Sequence, residues 1–143
     1  MTIEALPRTA GLTAEFSAWL GAGELRIQRC NSCGHPRHVP RHLCPRCGSA
    51  DAEWMPCTGR GRLYSWTTTY RPLHPAFTAT PFTIAVVALD EGPRIVASLL
   101  GIDPHDLRTD LTVRLDTHAT AETSVPAFRP DPDAYPLDQK GKP

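Results

Sequence analysis

The first hydrophobic pattern along the chain has helical spacing. Leu12, Phe16, Trp19 and Leu20 stand at i, i+4, i+7 and i+8, which places them on one face of a helix over 12–20. Two glycines that follow shortly afterwards end this segment. A helix of this length is only marginally stable by itself. We therefore expect it to pack against the body of the protein or against a partner.

Strand-like patterns occupy most of the remaining chain. Residues 24–29 predict a strand ahead of a cysteine-rich segment, and residues 90–93 predict a hairpin turn. Segments rich in β-branched, aromatic or alternating apolar residues predict five further strands, at 63–70, 82–89, 94–102, 111–117 and 124–128. A helical turn or loop over 103–110 precedes the fourth of them. Five strands in about 70 residues fit a small Greek-key barrel of the OB (oligonucleotide/oligosaccharide-binding) type.

Three aromatic residues of the first barrel strand share one face. Tyr64, Trp66 and Tyr70 have even spacing, so their side chains point to the same side of the sheet. We expect this face to lie in the barrel core. An exposed face would instead suit the stacking of nucleobases.

The overall charge argues against a nucleic-acid binder. The chain has 15 Lys and Arg against 15 Asp and Glu, whereas such proteins have a strong basic excess. No apolar run approaches the roughly 20 residues that a membrane span needs. The N-terminus lacks the basic-then-apolar order of a secretory signal. Closely paired thiols suit a reducing compartment, so we expect a cytoplasmic protein.

The segment "CNSCGHPRHVPRHLCPRCG" (30–48) contains two Cys-x-x-Cys-Gly pairs. Cys30, Cys33, Cys44 and Cys47 form a ligand set that suits tetrahedral Zn²⁺, and the spacing predicts a zinc ribbon. Two disulfides are an alternative, and sulfur ligation alone also admits iron.

Four cysteine ligands would close the metal's coordination shell, which is typical of structural rather than catalytic zinc. His35, His38 and His42 lie between the two pairs, and we expect them to be exposed loop residues. Cys57 has no pair partner, and we expect a free thiol without a catalytic role. The sequence contains no Gly-x-Ser-x-Gly elbow, no phosphate-binding loop and no His-Glu-x-x-His motif.

Several longer segments resemble the domain-of-unknown-function 35 (DUF35) family of zinc-ribbon and OB-fold proteins. They are "CPRCGS" (44–49), "GRGRLYSWT" (59–67), "LDEGPRI" (89–95) and "LLGIDPHDL" (99–107), and the resemblance covers about 12–130. One departure is Asp110, where the family usually has glycine. We accordingly expect a mainly β protein: an N-terminal helical arm (1–23), a rubredoxin-like zinc ribbon (24–58), a five-stranded OB barrel (59–128) and a proline-rich, extended tail (129–143).

The resemblance implies a non-catalytic accessory subunit. Members of the family typically accompany thiolase-like enzymes that act on acyl-CoA substrates, in acyl transfer, condensation or the retro-aldol cleavage of a side chain such as that of a steroid-CoA. The chain would complete or stabilise the partner's active site in a hetero-oligomer. The barrel would meet the coenzyme A portion, for which arginines of the barrel segment are candidate phosphate ligands: Arg60, Arg62, Arg71 and Arg94.

Three other functions compete with this interpretation. A nucleic-acid-binding module is suggested by the aromatic strand and by the basic ribbon. The arginines of that ribbon are Arg26, Arg29, Arg37, Arg41 and Arg46. A free-standing CoA-ester binder or hydrolase would need a catalytic dyad, which the sequence does not show. A rubredoxin-like electron carrier would need iron in place of zinc.

Overall fold

A short helix, a small three-stranded sheet and a closed barrel follow one another in the computed structural model, which describes residues 10–72, 74–75 and 79–133. Helix α1 spans Leu12–Gly21. The small sheet contains β1 (Arg26–Cys30), β2 (Pro36–Arg37) and β3 (Ala52–Pro56), in the antiparallel order β2-β1-β3. The cysteine-rich segment joins these three strands.

The barrel has five strands, and its order agrees with an OB fold. They are β4 (Arg60–Thr69), β5 (Phe82–Leu89), β6 (Arg94–Leu99), β7 (Thr112–Leu115) and β8 (Ala127–Pro130). The closed order is β4-β5-β6-β8-β7, with β7 pairing back onto β4 and with a parallel pair between β6 and β8. The mainly β fold with an N-terminal helix, a ribbon and a five-stranded barrel is therefore confirmed.

One hydrophobic core joins the helix, the ribbon and the barrel. Phe16 and Leu20 of α1 and Leu25 and Ile27 beside or within β1 belong to the same buried cluster as the barrel residues. The barrel contributes Leu63, Ala85, Val87, Leu89, Ile95, Ala97, Leu99, Leu111, Val113 and Phe128. Along β5, buried residues alternate with half-buried ones, as expected for a strand whose inner face lies in the core. The helix and the base of the ribbon are thus fixed to the barrel by shared apolar burial.

Helix α2 (Thr117–Thr123) was absent from the sequence prediction, which extended a strand to residue 117. Its sequence, THATAET, has no apolar face that would indicate a helix. Local hydrogen bonding begins it instead, because the Asp116 side chain accepts a hydrogen bond from the backbone N–H of Ala119. The helix ends at Thr123, and the next residue, Ser124, has a φ of 54°. Strands β2 and β3 were also missed.

The expectation that the aromatic face lies in the core was wrong. Tyr64, Trp66 and Tyr70 are 49%, 37% and 62% exposed. A β-bulge interrupts the pairing of β4 with β5 between Leu63 and Ser65, so Tyr64 has no partner of its own in the register. The side chain of Tyr64 lies outside the barrel, where the Arg94 guanidinium stands 3.8 Å from its ring centroid.

Two further expectations concern the ends of the barrel. Strand β8 includes Arg129 and Pro130, which the sequence had placed in the tail, and residues 134–143 lie outside the described residues. Asp110, the departure from the family pattern, adopts a φ of 65°, a conformation that glycine favours. Its turn keeps the shape that a glycine would give it.

Within the described residues, no helix combines the length and apolar character required to cross a membrane.

Candidate metal centre

The four ribbon cysteines meet at one point. The Sγ atoms of Cys30, Cys33, Cys44 and Cys47 all lie within 4.8 Å of one another. Cys30 and Cys47 are separated by 3.5 Å between sulfurs, and Cys33 and Cys44 by 3.7 Å. A tetrahedral Zn²⁺ with 2.3 Å bonds places its sulfurs about 3.8 Å apart, whereas a disulfide requires about 2.05 Å. The arrangement therefore fits a four-thiolate metal site and not two disulfides.

Two similar turns present these sulfurs. In the first, the backbone N–H of Gly34 donates to the carbonyl oxygen of Cys30 over 2.9 Å, and in the second Gly48 donates to Cys44 over 2.8 Å. Gly34 and Gly48 have φ values of 76° and 77°, so the glycine after each pair allows the chain to turn around the metal position. This is the structural reason for the repeated Cys-x-x-Cys-Gly pattern.

Backbone N–H groups donate hydrogen bonds to two of the cysteine sulfurs. The N–H of Cys33 donates to the Sγ atom of Cys30, and this is the largest of several hydrogen bonds that together lower the pKa of the Cys30 thiol to about 6. The N–H of Arg46 donates to Cys44 over 3.4 Å. Donors of this kind stabilise thiolates, which are the form that binds metal.

The two turns are also tied to each other. The Ser32 and Ser49 hydroxyls lie 2.8 Å apart, and the Asn31 side-chain amide donates to the Asp51 carboxylate over 2.9 Å. Asn31 and Asp51 form a backbone hydrogen bond as well. These contacts are exposed, so each is worth little alone. These hydrogen bonds set the orientation of the two turns. A bound metal would supply most of the free energy that keeps the ribbon folded.

The ribbon histidines stay outside the cysteine cluster. His42 is exposed, as expected, but His35 and His38 are half-buried, which corrects that part of the prediction. The His38 ring lies 4.9 Å from the Phe16 ring, and burial lowers the pKa of His38. His38 therefore helps to seat helix α1 on the ribbon.

The fifth cysteine is part of the packing. Cys57 is half-buried against the hydrophobic core, and its backbone N–H donates to the carbonyl of Leu25. Burial, together with the nearby Glu91 carboxylate, raises the pKa of Cys57 to about 12. At neutral pH this thiol remains protonated and is a poor nucleophile.

The four candidate phosphate ligands are all exposed, and three lie at one end of the barrel. Arg62 and Arg94 both stand opposite Ala88, so they share the outer face of neighbouring strands, and Arg60 begins β4 two residues before Arg62. Arg71 lies beyond the far end of β4, roughly 30 Å from Arg62 along an extended strand. Their role towards coenzyme A stays a prediction.

Comparison with known proteins identifies the family. Residues 20–53 match the family model described as "ChsH2, rubredoxin-like zinc ribbon domain", and residues 54–118 match "ChsH2, C-terminal OB-fold domain". A solved structure described as "Ltp2-ChsH2(DUF35) aldolase" is 36% identical, with a TM-score of 0.77. The match covers 87% of this chain and 98% of that one. The chain belongs to the DUF35 family.

Two curated relatives of this DUF35 chain carry more specific names. A probable enoyl-CoA hydratase alpha subunit of Thermomonospora curvata is 39% identical over 128 residues, which are 87% of this chain and 40% of the relative. The benzoylsuccinyl-CoA thiolase subunit BbsA of Thauera aromatica is 31% identical over 113 residues, which are 79% of this chain and 71% of the relative. The DUF35 chain thus spans less than half of the hydratase subunit.

Proposed function

We propose that this chain is a non-catalytic accessory subunit of an enzyme that acts on acyl-CoA substrates. The observation that carries the proposal is its similarity to the DUF35 chain of the Ltp2-ChsH2 aldolase, which extends over 98% of that chain. The named relatives, a hydratase subunit and a thiolase subunit, are both parts of enzymes for CoA esters. The partner in this proposal is a thiolase-like protein, in a hetero-oligomer.

The chemistry of the described residues supports a helper role. Within the parts of the chain that the structure describes, the cysteine cluster is the group of three or more His, Cys, Asp or Glu side chains close enough to hold a metal ion. We propose that it holds one structural Zn²⁺, bound by Cys30, Cys33, Cys44 and Cys47. Such a closed site leaves no open position for substrate, so the reacting groups belong to the partner.

The reaction itself is proposed as either a retro-aldol cleavage of a side chain, as on a steroid-CoA, or an acyl transfer or condensation. The similarity to an aldolase complex favours the first, and the similarity to a thiolase subunit favours the second. The proposal includes contact of the barrel with coenzyme A phosphates through Arg60, Arg62 and Arg94, which lie at one end of the barrel. Arg71 is too distant to join the same group.

Reconstitution from separately purified chains tests this function. The chain alone should show no turnover of acyl-CoA substrates, and its addition to a co-purifying thiolase-like protein should raise the activity and shift the mass of the complex. Turnover by this chain alone, lost on a single substitution, would refute the accessory role.

The exposed aromatic residues favour a second candidate, a nucleic-acid-binding module. Tyr70 is 62% exposed and presents ring surface of the kind that stacks on bases, whereas one face of the Tyr64 ring is covered by Arg94. A titration with single-stranded DNA at several salt concentrations separates the two functions, because phosphate contacts give a steep dependence on salt. We expect no such binding, since acidic and basic residues are equal in number.

A further inference from the structure

Three arginines stand side by side on the outer surface of the barrel. Arg60 of β4 is directly opposite Arg114 of β7, and Arg114 is directly opposite Arg129 of β8. All three are exposed. Directly opposed residues of neighbouring strands have Cβ atoms about 5 Å apart, and like charges at this separation destabilise a sheet. The fold therefore tolerates a repulsion that any neutral residue at the middle position would remove.

Only one of these three arginines has a carboxylate partner within the described part of the chain. Asp116 forms an ion pair with Arg129. Neither Arg60 nor Arg114 has a carboxylate oxygen within 4.0 Å among residues 10–72, 74–75 and 79–133. The neighbouring Glu91 accepts a hydrogen bond from the backbone N–H of Thr58 instead. Two adjacent guanidinium groups therefore have no anionic partner in the part of the chain that the structure describes.

Arg60 and Arg114 both line one cleft between the ribbon and the barrel. The cleft has a volume of about 420 Å³, within the range of small-molecule sites. Residues Gly23–Arg26 form its ribbon side, and the segment Pro56–Arg60 with Arg114 and Leu115 forms its barrel side. Its lining contains three arginines and a single acidic residue, Glu24, which is paired with Arg26 over 3.0 Å.

We propose that Arg60 and Arg114 form a binding site for a diphosphate group in this cleft. A diphosphate carries several negative oxygens, and each guanidinium presents a planar set of donors that matches phosphate in a bidentate manner. The ligand would also remove the repulsion between the two arginines. Arg114 was not recognised from the sequence, because its position opposite Arg60 is determined by the closure of the barrel. That the diphosphate belongs to coenzyme A rests on the proposed function.

Calorimetric titration of the full, zinc-loaded chain tests the site without a partner enzyme. Pyrophosphate, ADP and coenzyme A are the ligands, and pantetheine, which has no phosphate, is the negative control. We expect binding of the three phosphate compounds and none of pantetheine. Arg60→Ala and Arg114→Ala should each weaken pyrophosphate binding at least tenfold. The matched control is Arg108→Ala, an exposed arginine of the barrel that does not line the cleft, which should change the affinity less than twofold.

Thermal unfolding of the same variants separates binding from folding. Arg114→Gln keeps most of the side chain and removes the opposed charge, so its melting temperature should equal or exceed that of the original chain. Arg114→Glu should raise the melting temperature further and abolish pyrophosphate binding. No binding of pyrophosphate, equal losses in Arg108→Ala, or a lower melting temperature of Arg114→Gln would each overturn the proposal. Reconstituted activity is not part of this test, so the site and the accessory function can fail separately.

Discussion

Removal of the metal should unfold the tip of the ribbon, residues 30–51, and leave the barrel folded. The core cluster includes Leu25 and Ile27 before this segment and Leu63 after it, but no residue from within it. The buried apolar residues of the tip are the ligands Cys30 and Cys44 themselves. The tip therefore depends on the metal, whereas the barrel depends on its own core.

The magnitudes support this separation. Structural zinc sites bind their metal with about 10–16 kcal/mol at neutral pH. Without the metal, the tip keeps turn hydrogen bonds that contribute about 1 kcal/mol each. Ordering the backbone of the tip costs about 1–2 kcal/mol of conformational entropy for each residue. Because the tip has fewer hydrogen bonds than residues, these bonds do not offset that cost. We therefore expect the metal-free tip to be unfolded at room temperature.

Hydrogen–deuterium exchange with and without a chelator measures this directly. Amides of residues 30–51 should lose their protection, while amides of β5 and β6 should keep theirs. Cys44→Ser should reproduce the exchange pattern of the chelated protein. Cys57→Ser is the matched control, because Cys57 lies outside the cluster, and it should bind one metal ion and retain the protected tip.

Two outcomes would refute the reasoning. Unchanged protection of the tip after verified loss of the metal would show that its hydrogen bonds suffice. Simultaneous loss of protection in β5 and β6 would show that the ribbon and the barrel unfold as one unit. Elemental analysis of the purified chain should find one zinc per chain, and iron in its place would contradict the assignment of the metal.

Three further substitutions test local features of the barrel by thermal or denaturant unfolding. Asp110→Gly should raise the free energy of unfolding by about 0.5–1 kcal/mol, because Asp110 has a φ of 65° and glycine adopts this conformation without steric cost. Gly61→Ala should lower it by about 2–3 kcal/mol, since the added Cβ would lie 2.6 Å from the Ala88 carbonyl oxygen. Asp116→Ala should lower it by about 1–2 kcal/mol through loss of the helix cap, and Asp116→Asn, which still caps, by less. The Ala119 N–H and the Arg129 guanidinium lower the pKa of Asp116 below its ordinary 3.8, so the charged carboxylate stabilises the protein above pH 3.8. The difference in the free energy of unfolding between the original chain and Asp116→Asn should vanish as the pH falls through the lower pKa of the folded state. A stability gain in Gly61→Ala, a loss in Asp110→Gly, or a pH-independent Asp116→Asn difference would contradict these arguments.

The sequence predicted those elements whose signal is local and repeated. Strand β5 alternates buried and half-buried positions along its whole length, and the cysteine pairs carry their own spacing and their own glycines. Strand β2, with two residues, is too short for any periodic pattern. Helix α2 is specified by the cap at Asp116 and not by an apolar face. Short elements of this kind are stabilised by contacts that exist only in the folded chain.

The error at the aromatic strand has a different cause. Tyr64 lies outside the barrel because it alternates with the buried residues Gly61 and Leu63. Even spacing also fails to place Trp66 on the face of Tyr64, because the strand is not regular and a bulge at Tyr64 separates the two residues. The sequence around it has no proline or unusual glycine that would indicate a bulge inside 63–70. The bulge becomes visible only when β4 is paired with β5.

The candidate sites show the same division between local and long-range information. The cysteine cluster was recognisable because its ligands occupy two short, similar segments whose turns bring the sulfurs together. The pair Arg60 and Arg114 was not, since 54 positions separate the two residues and their meeting depends on which strands close the barrel. Only the register of the barrel shows that two like charges are held opposite each other beside a cleft. Arg60 and Arg114, which have no carboxylate partner within the described residues, repel each other across the sheet, and an anion bound in the adjacent cleft would relieve this repulsion.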